Sequence, residues 1–269
     1  MNTQKIVLIT GASSGLGQAC AEYLTQRGYR VFGTSRDATT KNTPYTMLQM
    51  DVTEQSSVDR AVDQLMALEG RLDVLINNAG SGIAGALEDT AIDELQRQFD
   101  ANCFGAMRVC HKVLPIMRAQ ACGQIINVGS IAGLIPVPFQ GAYSASKSAL
   151  QSLTEVLRME VKPFGVQVAL VEPGDFCTAF TDHRIYTKRS GASSLYRQPC
   201  LRAVQTMEQD ERNGCDPLLV AQLLDKIMKH RSLRLRYIVG PRAQILGVQL
   251  RKVVPSSLFE GLMARLYKL

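Results

Sequence analysis

The stretch Thr10-Gly11-Ala12-Ser13-Ser14-Gly15-Leu16-Gly17 decides the fold, because it directly follows the apolar run Ile6-Val7-Leu8-Ile9. A buried parallel strand that ends in glycines and continues into a helix directs backbone N–H groups and the positive end of the helix dipole toward one point. Gly11 permits a tight turn, Gly15 lets a ligand approach the backbone, and Gly17 lets the helix pack closely on the strand. The stretch therefore predicts a site for a pyrophosphate, with an ordinary glycine-rich turn as the alternative.

Strand and helix patterns alternate along the rest of the chain with short connections. This alternation is typical of a parallel sheet covered by helices on both faces. Most strand segments are rich in Val, Ile and Leu without polar alternation, as expected of strands buried on both faces. We therefore predict one α/β domain over residues 1–269, a doubly wound Rossmann fold with about seven parallel strands. The predicted strands are 5–10, 30–34, 46–50, 74–77, 124–128, 167–171 and 236–239, and the predicted helices are 15–27, 55–68, 92–117, 142–161 and 217–229.

Composition favours a globular protein, with 46% hydrophobic and 20% charged residues. No apolar run approaches the roughly 18 residues of a membrane span, and no N-terminal stretch resembles a signal peptide. The seven cysteines are odd in number, scattered and without a C-x-x-C pair, which predicts a reduced, cytoplasmic compartment. Three scattered histidines show no metal-ligand spacing, so no metal site is expected.

The formal net charge of +6 is concentrated near the end of the chain, where Glu260 is the one acidic residue after position 225. Nucleic acid is not expected as a partner, since no aromatic stacking surface accompanies the charges. An anionic membrane surface, an acidic carrier protein or solubility alone could explain them. The basic residues of this part are Lys226, Lys229, Arg231, Arg234, Arg236, Arg242, Arg251, Lys252, Arg265 and Lys268.

The pair Tyr143 and Lys147 lies on one face of a predicted helix, because the two residues are four apart. A phenol with its usual pKa near ~10 is a poor acid–base catalyst at neutral pH, and a neighbouring cation lowers that pKa. Ser130 follows a predicted strand, at the edge where open α/β sheets present ligand-binding groups. A Tyr–Lys pair alone is usually a surface pair, but with Ser130 and the glycine turn it predicts acid–base chemistry.

Taken with Asn77-Asn78-Ala79-Gly80, Asn102 and Pro173-Gly174, these motifs resemble the short-chain dehydrogenase/reductase family over roughly the first 180 residues. The resemblance implies an oxidoreductase that interconverts a carbonyl and a secondary alcohol with a nicotinamide cofactor. It further implies that Tyr143 is the general acid in reduction and that Ser130 holds the substrate oxygen. Lys147 would lower the tyrosine pKa and bind the nicotinamide ribose, and Asn102 would hold a water of the proton relay.

The choice between NAD and NADP is expected to depend on the end of the second strand. There Ser35 occupies the acidic position of NAD-type members, and Arg36 follows. A cation there favours NADP, while Asp37 keeps NAD open. Asp51 has a helix cap as its alternative role. The cofactor contacts implied by the resemblance are Gly11, Ser13, Ser14, Gly15, Leu16, Gly17, Ser35, Arg36, Asp51, Val52, Asn78, Ala79, Gly80, Tyr143, Lys147, Pro173, Gly174 and Thr178.

Residues 175–214 show weak periodicity and are expected to form a mobile substrate loop. The Arg36-Asp37 step, this insertion and the extension at 241–269 resemble NADP-preferring hydroxysteroid- and retinol-type members. We therefore expect a hydrophobic steroid-, retinoid- or lipid-like substrate, with a 3-oxoacyl thioester and a non-catalytic nucleotide-sensing or scaffold protein as alternatives. The apolar residues of the insertion that support this expectation are Phe176, Phe180, Leu195 and Tyr196.

Residues 256–269 place apolar side chains on one face at helical spacing. We expect this face to pack on the domain's own core or on another subunit of a homodimer or homotetramer. Peripheral attachment to an anionic membrane is the alternative. The apolar residues are Leu258, Phe259, Leu262, Met263, Leu266 and Leu269.

Overall fold

A computed structural model describes residues 4–38 and 43–269 of the chain. In these residues the strands are β1 (Ile6–Ile9), β2 (Arg30–Ser35), β3 (Thr46–Gln49), β4 (Val74–Asn77), β5 (Ile83–Ala84), β6 (Gly123–Val128), β7 (Val166–Pro173), β8 (Ile185–Tyr186) and β9 (Arg236–Val239). The α-helices are α1 (Gly15–Gln26), α2 (Gln55–Glu69), α3 (Ile92–Phe99), α4 (Gly105–Ala119), α5 (Gly141–Val161), α6 (Arg197–Arg212), α7 (Leu218–Lys229), α8 (Arg242–Arg251) and α9 (Ser256–Leu266).

Seven parallel strands form one sheet in the order β3-β2-β1-β4-β6-β7-β9. The order reverses between β1 and β4, because β2 and β3 lie on one side of β1 and the later strands lie on the other. In open parallel sheets a crevice forms at such a reversal, outside the carboxyl ends of the strands. The glycine turn after β1 and the Asn77-Asn78 motif at the end of β4 both meet this crevice.

Two hydrophobic layers enclose the sheet, because alternate strand residues point to opposite faces. Ile9, Ile76 and Ile126 pack against α1 and α7 on one face. Leu8 and Leu75 point to the other face, where they pack against α2, α4 and the end of α5. The doubly wound α/β architecture expected from the sequence is therefore confirmed.

The predicted helix over 92–117 is wrong in one respect, since a π-helical turn (Asp100–Phe104) separates α3 from α4. The weak periodicity assigned to 175–214 is a second error, because this segment contains the 16-residue helix α6. Polar residues and Pro199 obscured that helix, and the proline is tolerated because it lies in the first turn. The buried residues of α6 follow helical spacing at Cys200, Ala203, Val204 and Met207.

Three further observations concern the described residues alone. All seven cysteines are free, and no group of three or more metal-ligating side chains is present. No helix in this part of the chain is both long and apolar enough to cross a membrane.

Candidate active site

The turn after β1 has the backbone geometry of an anion cradle. Gly11 and Gly15 adopt φ angles of +66° and +56°, a region that favours glycine. A Cβ on Gly17 would overlap the carbonyl oxygen of Gly11 and lie 2.5 Å from Asn78 Nδ2. The close approach of α1 to this turn therefore requires glycine, and the cradle suits a dinucleotide pyrophosphate.

Asn78 holds the glycine turn in place. Its side-chain amide donates to the carbonyl oxygens of Thr10 and Gly11 at 3.0 and 3.1 Å. In return, Thr10 Oγ1 accepts hydrogen bonds from the backbone N–H groups of Asn78 and Ala79. The motif after β4 thus joins the ends of β1 and β4 at the sheet reversal, which agrees with the sheet-stabilising role that the family resemblance implies for Asn78 and its neighbours.

The α5 helix carries Tyr143 and Lys147 on one side, as their spacing predicts. Lys147 Nζ lies 5.8 Å from the centre of the Tyr143 ring and donates to the carbonyl oxygen of Val128 at 2.9 Å. Ser130 follows β6, and its hydroxyl hydrogen-bonds the Tyr143 hydroxyl and accepts from the N–H of Ala132. The structure therefore brings Ser130, Tyr143 and Lys147 together at the carboxyl end of the sheet.

Asn102 lies within the π-helical turn and is buried beside Lys147. Its side chain pairs with both backbone groups of Ser81 and donates to Ser146 Oγ at 3.1 Å. A Cβ built on Gly80 would lie 3.0 Å from Asn102 Oδ1 and 3.7 Å from Lys147 Nζ. The Asn102 side chain thus fixes the wall of the site next to the lysine, and the turn explains why an amide occurs inside an otherwise continuous helix.

Electrostatics at the pair differ from the sequence-based expectation. Burial raises the pKa of Tyr143 to about 12, although the hydrogen bond with Ser130 opposes this shift. Burial also lowers the pKa of Lys147 to about 8. Burial is the largest cause of the shift at Tyr143, so the lowering expected from Lys147 does not dominate here, and its part in setting this pKa stays a prediction. Desolvation outweighs charge pairing here because the ammonium is directed to the Val128 carbonyl.

The outer part of the crevice contains the residues expected to contact the adenosine part of the cofactor. Ser35 ends β2, and Arg36 follows with an exposed side chain. Asp51 Oδ1 accepts hydrogen bonds from the N–H and hydroxyl of Thr53 at 2.9 and 2.7 Å, so it stabilises the turn before α2. Val52 packs against the start of α4, where a Cβ on Gly105 would lie 2.8 Å from Val52 Cγ2.

The loop after β7 reaches the glycine turn. Gly174 donates its N–H to the carbonyl oxygen of Val239, the last residue of β9. Thr178 lies beside Gly15, where a Cβ would be 3.6 Å from Thr178 Cβ. The structure therefore brings Thr178 next to the predicted pyrophosphate cradle, as expected for a loop that covers the nicotinamide.

A group of charged residues that the sequence did not indicate faces Tyr143. Arg184 is buried and pairs with Glu211, whose other oxygen accepts from Thr181 Oγ1 at 2.6 Å. Glu211 and Asp175 act to raise the pKa of Tyr143, and Arg184 acts to lower it. The acidic end of α6 and the segment that carries Asp175 thus lie close to the Tyr143 hydroxyl. The helical spacing of apolar residues in α6 was the signal that could have placed Glu211.

The apolar residues of the insertion do not all face the site. The Phe180 ring lies 5.8 Å from the Tyr143 ring. Phe176 instead packs into the core beneath α7, and Leu195 and Tyr196 are exposed. Of the four residues expected to offer apolar surface to a substrate, Phe180 is the one placed beside Tyr143, and its contact with substrate stays a prediction; the placement of the other three corrects the expectation.

The C-terminal extension closes one side of the site. Gln244 of α8 hydrogen-bonds both the backbone N–H and the carboxylate of Asp175. Phe259 of α9 packs on Ile135, which follows Ser130 by five residues. Burial and the carboxylates of the insertion together raise the pKa of Tyr267, so α9 ends beside those carboxylates.

Known proteins share this arrangement. The family model described as short chain dehydrogenase matches residues 5–188. The chain is 43% identical over 256 residues to a 3-ketodihydrosphingosine reductase of Bacteroides thetaiotaomicron, which covers 95% of each chain. It is 37% identical over 190 residues to human retinol dehydrogenase 8, which covers 65% of this chain and 60% of the relative. A short-chain dehydrogenase/reductase of Burkholderia phymatum, solved in complex with NAD, matches 93% of each chain with a TM-score of 0.80 and 27% identity.

Proposed function

Because the chain belongs to the short-chain dehydrogenase family, we propose that it is an NADP(H)-dependent oxidoreductase that interconverts a lipid-like carbonyl compound and its secondary alcohol. The observation that carries this proposal is the convergence of Ser130, Tyr143 and Lys147 beside the glycine cradle. A nicotinamide cofactor is common to the family, and the choice of NADP over NAD is part of the proposal. We also propose that residues 1–269 form one domain, which is supported by the single main sheet.

In reduction, the bound nicotinamide supplies the hydride, and the protein orients the substrate and provides the proton. The Ser130 hydroxyl holds the substrate oxygen near Tyr143. The Tyr143 hydroxyl, whose pKa burial raises to about 12, is protonated at neutral pH and donates its proton to that oxygen. Lys147 would bind the nicotinamide ribose, and Asn102 fixes the adjacent wall through Ser81. In oxidation the same hydroxyl must first lose its proton.

The substrate class is supported by the reductase relative and by the charges around Tyr143. The relative's name denotes a long-chain ketone that carries an amino group. Two carboxylates, Glu211 and Asp175, act on Tyr143 against one guanidinium, Arg184. Such a setting favours an ammonium group close to the reacting carbonyl. NADPH oxidation should therefore be faster with 3-ketodihydrosphingosine than with its N-acetyl derivative, and faster than with steroids, retinal, acyl thioesters or simple ketones.

Replacing Tyr143 with Phe tests the catalytic assignment. The ring is kept and the proton is lost, so kcat should fall by about a hundredfold to ten-thousandfold while NADPH affinity stays nearly unchanged. Tyr29→Phe is the matched control, because it removes a hydroxyl that hydrogen-bonds Asp225 at 2.8 Å, away from the crevice. Steady-state kinetics and calorimetric titration measure both quantities. A loss of less than about tenfold would contradict the general-acid role.

The same measurements separate the enzyme from a non-catalytic protein. If the wild type binds NADPH tightly but reduces no carbonyl in the panel, the chain is a nucleotide-sensing or scaffold protein instead. If it reduces acyl thioesters best, the thioester alternative replaces the lipid-like ketone.

Replacing Arg36 with Ala tests the cofactor choice. A charge-assisted contact to the 2′-phosphate contributes about 1.5–3 kcal/mol, so NADPH should bind roughly ten- to a hundredfold more weakly while NADH is little affected. Arg60→Ala on α2 is the control, because Arg60 is an exposed arginine of an outer helix. Equal losses for both cofactors would show that Arg36 does not contact the phosphate, and a wild-type preference for NADH would indicate Asp37.

We further propose a cytoplasmic homodimer or homotetramer. The seven free cysteines support a reduced compartment. Exposed apolar residues just before α4 and on α5 support a subunit contact, since Phe104, Val156 and Met159 are 50%, 46% and 66% exposed. Light scattering on the wild type and on the double variant Val156→Ser/Met159→Ser measures the subunit number.

A further inference from the structure

The two C-terminal helices bury one side and expose an apolar surface on the other. Val248, Phe259 and Met263 face inward and pack around Ile135. The outward residues follow one another at intervals of three or four, except for the five positions from Val253 to Leu258, and each is 39–78% exposed. We call them the outer apolar surface: Leu246, Leu250, Val253, Leu258, Leu262, Leu266 and Leu269.

This surface is unusual within the molecule. Its seven side chains are a third of the 21 large hydrophobic side chains that the described residues expose, yet residues 242–269 are about a tenth of the chain. An exposed apolar patch often marks an interaction site. Phe259 and Met263 pack on the domain, which agrees with one of the two expectations from the sequence, while Leu258, Leu262, Leu266 and Leu269 are exposed and packing on another subunit stays a prediction.

Basic residues surround the outer apolar surface. Glu260 is the one acidic residue of 242–269, against Arg242, Arg251, Lys252, Arg265 and Lys268. Four of these five basic side chains are exposed, and Arg251 lies over the Phe259 ring at 5.3 Å. An apolar surface rimmed by cations matches the interfacial region of an anionic bilayer, where acyl chains and negative headgroups meet.

The position of the surface also matters for the site. Gln244 on α8 is bonded to Asp175, and Arg202 of α6 donates to the carbonyl oxygen of Lys268 at 3.3 Å. Both helices are thus connected to the insertion that faces Tyr143. We propose that the outer apolar surface docks the enzyme on an anionic lipid bilayer, with the substrate side of the crevice beside the membrane.

A second copy of the chain fits this surface less well. In a twofold contact the same patch occurs on both subunits, so the five basic residues of one would face those of the other. With one glutamate per subunit to offset them, the contact would be repulsive. Anionic lipid headgroups remove that repulsion, and the bilayer interior accepts the leucines.

The test uses the full chain with vesicles of phosphatidylcholine alone or mixed with phosphatidylglycerol, in cosedimentation without substrate. The wild type should bind the anionic vesicles and not the neutral ones. The triple variant Leu258→Ser/Leu262→Ser/Leu266→Ser should bind at least tenfold more weakly, since three exposed leucines leave the bilayer. Lys252→Gln/Arg265→Gln should bind roughly twenty- to thirtyfold more weakly, because each cation beside an anionic leaflet contributes about fivefold.

Matched controls are Leu218→Ser/Leu219→Ser on α7 and Lys162→Gln, which change exposed residues elsewhere and should bind as the wild type does. Unchanged circular dichroism and thermal midpoints verify that each variant folds. Absence of binding by the wild type, or unchanged binding by the leucine variant, would overturn the proposal. A change of subunit number in that variant with vesicle binding kept would make the surface a subunit contact instead. Because no turnover is measured, failure here leaves the proposed reaction untouched.

Discussion

Lys147 offers a test in which stability and function change in opposite directions. The residue is 4% exposed, and burial lowers the pKa of its amine to about 8 from the ordinary 10.5. A charged amine at this position therefore lowers the free energy of unfolding. A neutral side chain of similar length would not lower it. Lys147→Met should abolish carbonyl reduction and yet leave the protein as stable as the wild type, or more stable, at pH 7.

The magnitude follows from the two pKa values. The difference between 10.5 in the unfolded chain and about 8 in the folded protein corresponds to about 3 kcal/mol. Loss of the hydrogen bond to the Val128 carbonyl offsets about 1–3 kcal/mol of that gain. Between about pH 8 and 10.5 the unfolded lysine keeps a proton that the folded one has lost, so wild-type stability should rise with pH over this range. The variant has no such group and should not show the rise.

Urea unfolding at a series of pH values measures this effect as the difference between wild type and variant. The difference between the two proteins is used because both contain Cys20 and Cys110, whose pKa burial raises to about 12. Both proteins therefore lose stability as these thiols ionise, and this shared loss cancels in the difference. Lys162→Met, at an exposed lysine just after α5, should follow the wild-type profile. Equal pH dependence in Lys147→Met and wild type would refute the burial cost, and retained turnover would refute the assigned role.

Two further predictions concern the cofactor cradle and the tyrosine. Gly17→Ala should lower both stability, by about 1–3 kcal/mol, and NADPH affinity, since the new Cβ overlaps the Gly11 carbonyl. Gly261→Ala in α9, where no atom lies within 4 Å, should instead add about 0.5–1 kcal/mol in urea unfolding. Alcohol oxidation should accelerate with pH by up to about tenfold per unit from pH 7 to 10, whereas reduction should not, because oxidation needs the deprotonated form of Tyr143, whose pKa is about 12. Stopped-flow rates in both directions check this, and a flat oxidation profile would contradict it.

The cofactor half of the fold could be predicted from sequence because local rules determine it. Most strands of the main sheet are short, largely apolar runs, and the glycine turn after β1 follows from backbone sterics alone. The bounds predicted for the helices around this sheet agree with the structure to within a few residues for the same reason. The π-helical turn at 100–104 was not predictable from periodicity, because one extra residue per turn leaves the flanking apolar pattern almost intact.

The candidate site likewise has features that local sequence spacing predicts and features that it does not. Tyr143 and Lys147 share a helix, so their proximity follows from spacing. Their pKa values did not follow, since sequence does not reveal how deeply α5 and the loop after Ser130 bury them. The hydrogen bond from Asn77 Nδ2 to Asn127 Oδ1 at 2.9 Å links β4 to β6 in the core, although Asn77 resembles a simple turn residue in the sequence.

The substrate side escaped prediction because its contacts join residues that are distant in the chain. Arg184 pairs with Glu211 across 27 positions, Gln244 binds Asp175 across 69, and Arg202 meets Lys268 across 66. None of these contacts leaves a periodic pattern, since each depends on one side chain from each element. A change in the loop that carries Asp175 and Arg184, in α6 or in the C-terminal extension can therefore alter the charges near Tyr143 without disturbing the sheet or the cradle. For that reason the reaction class can be inferred from the first 180 or so residues, whereas the substrate must be tested through Glu211, Asp175 and the helices that hold them.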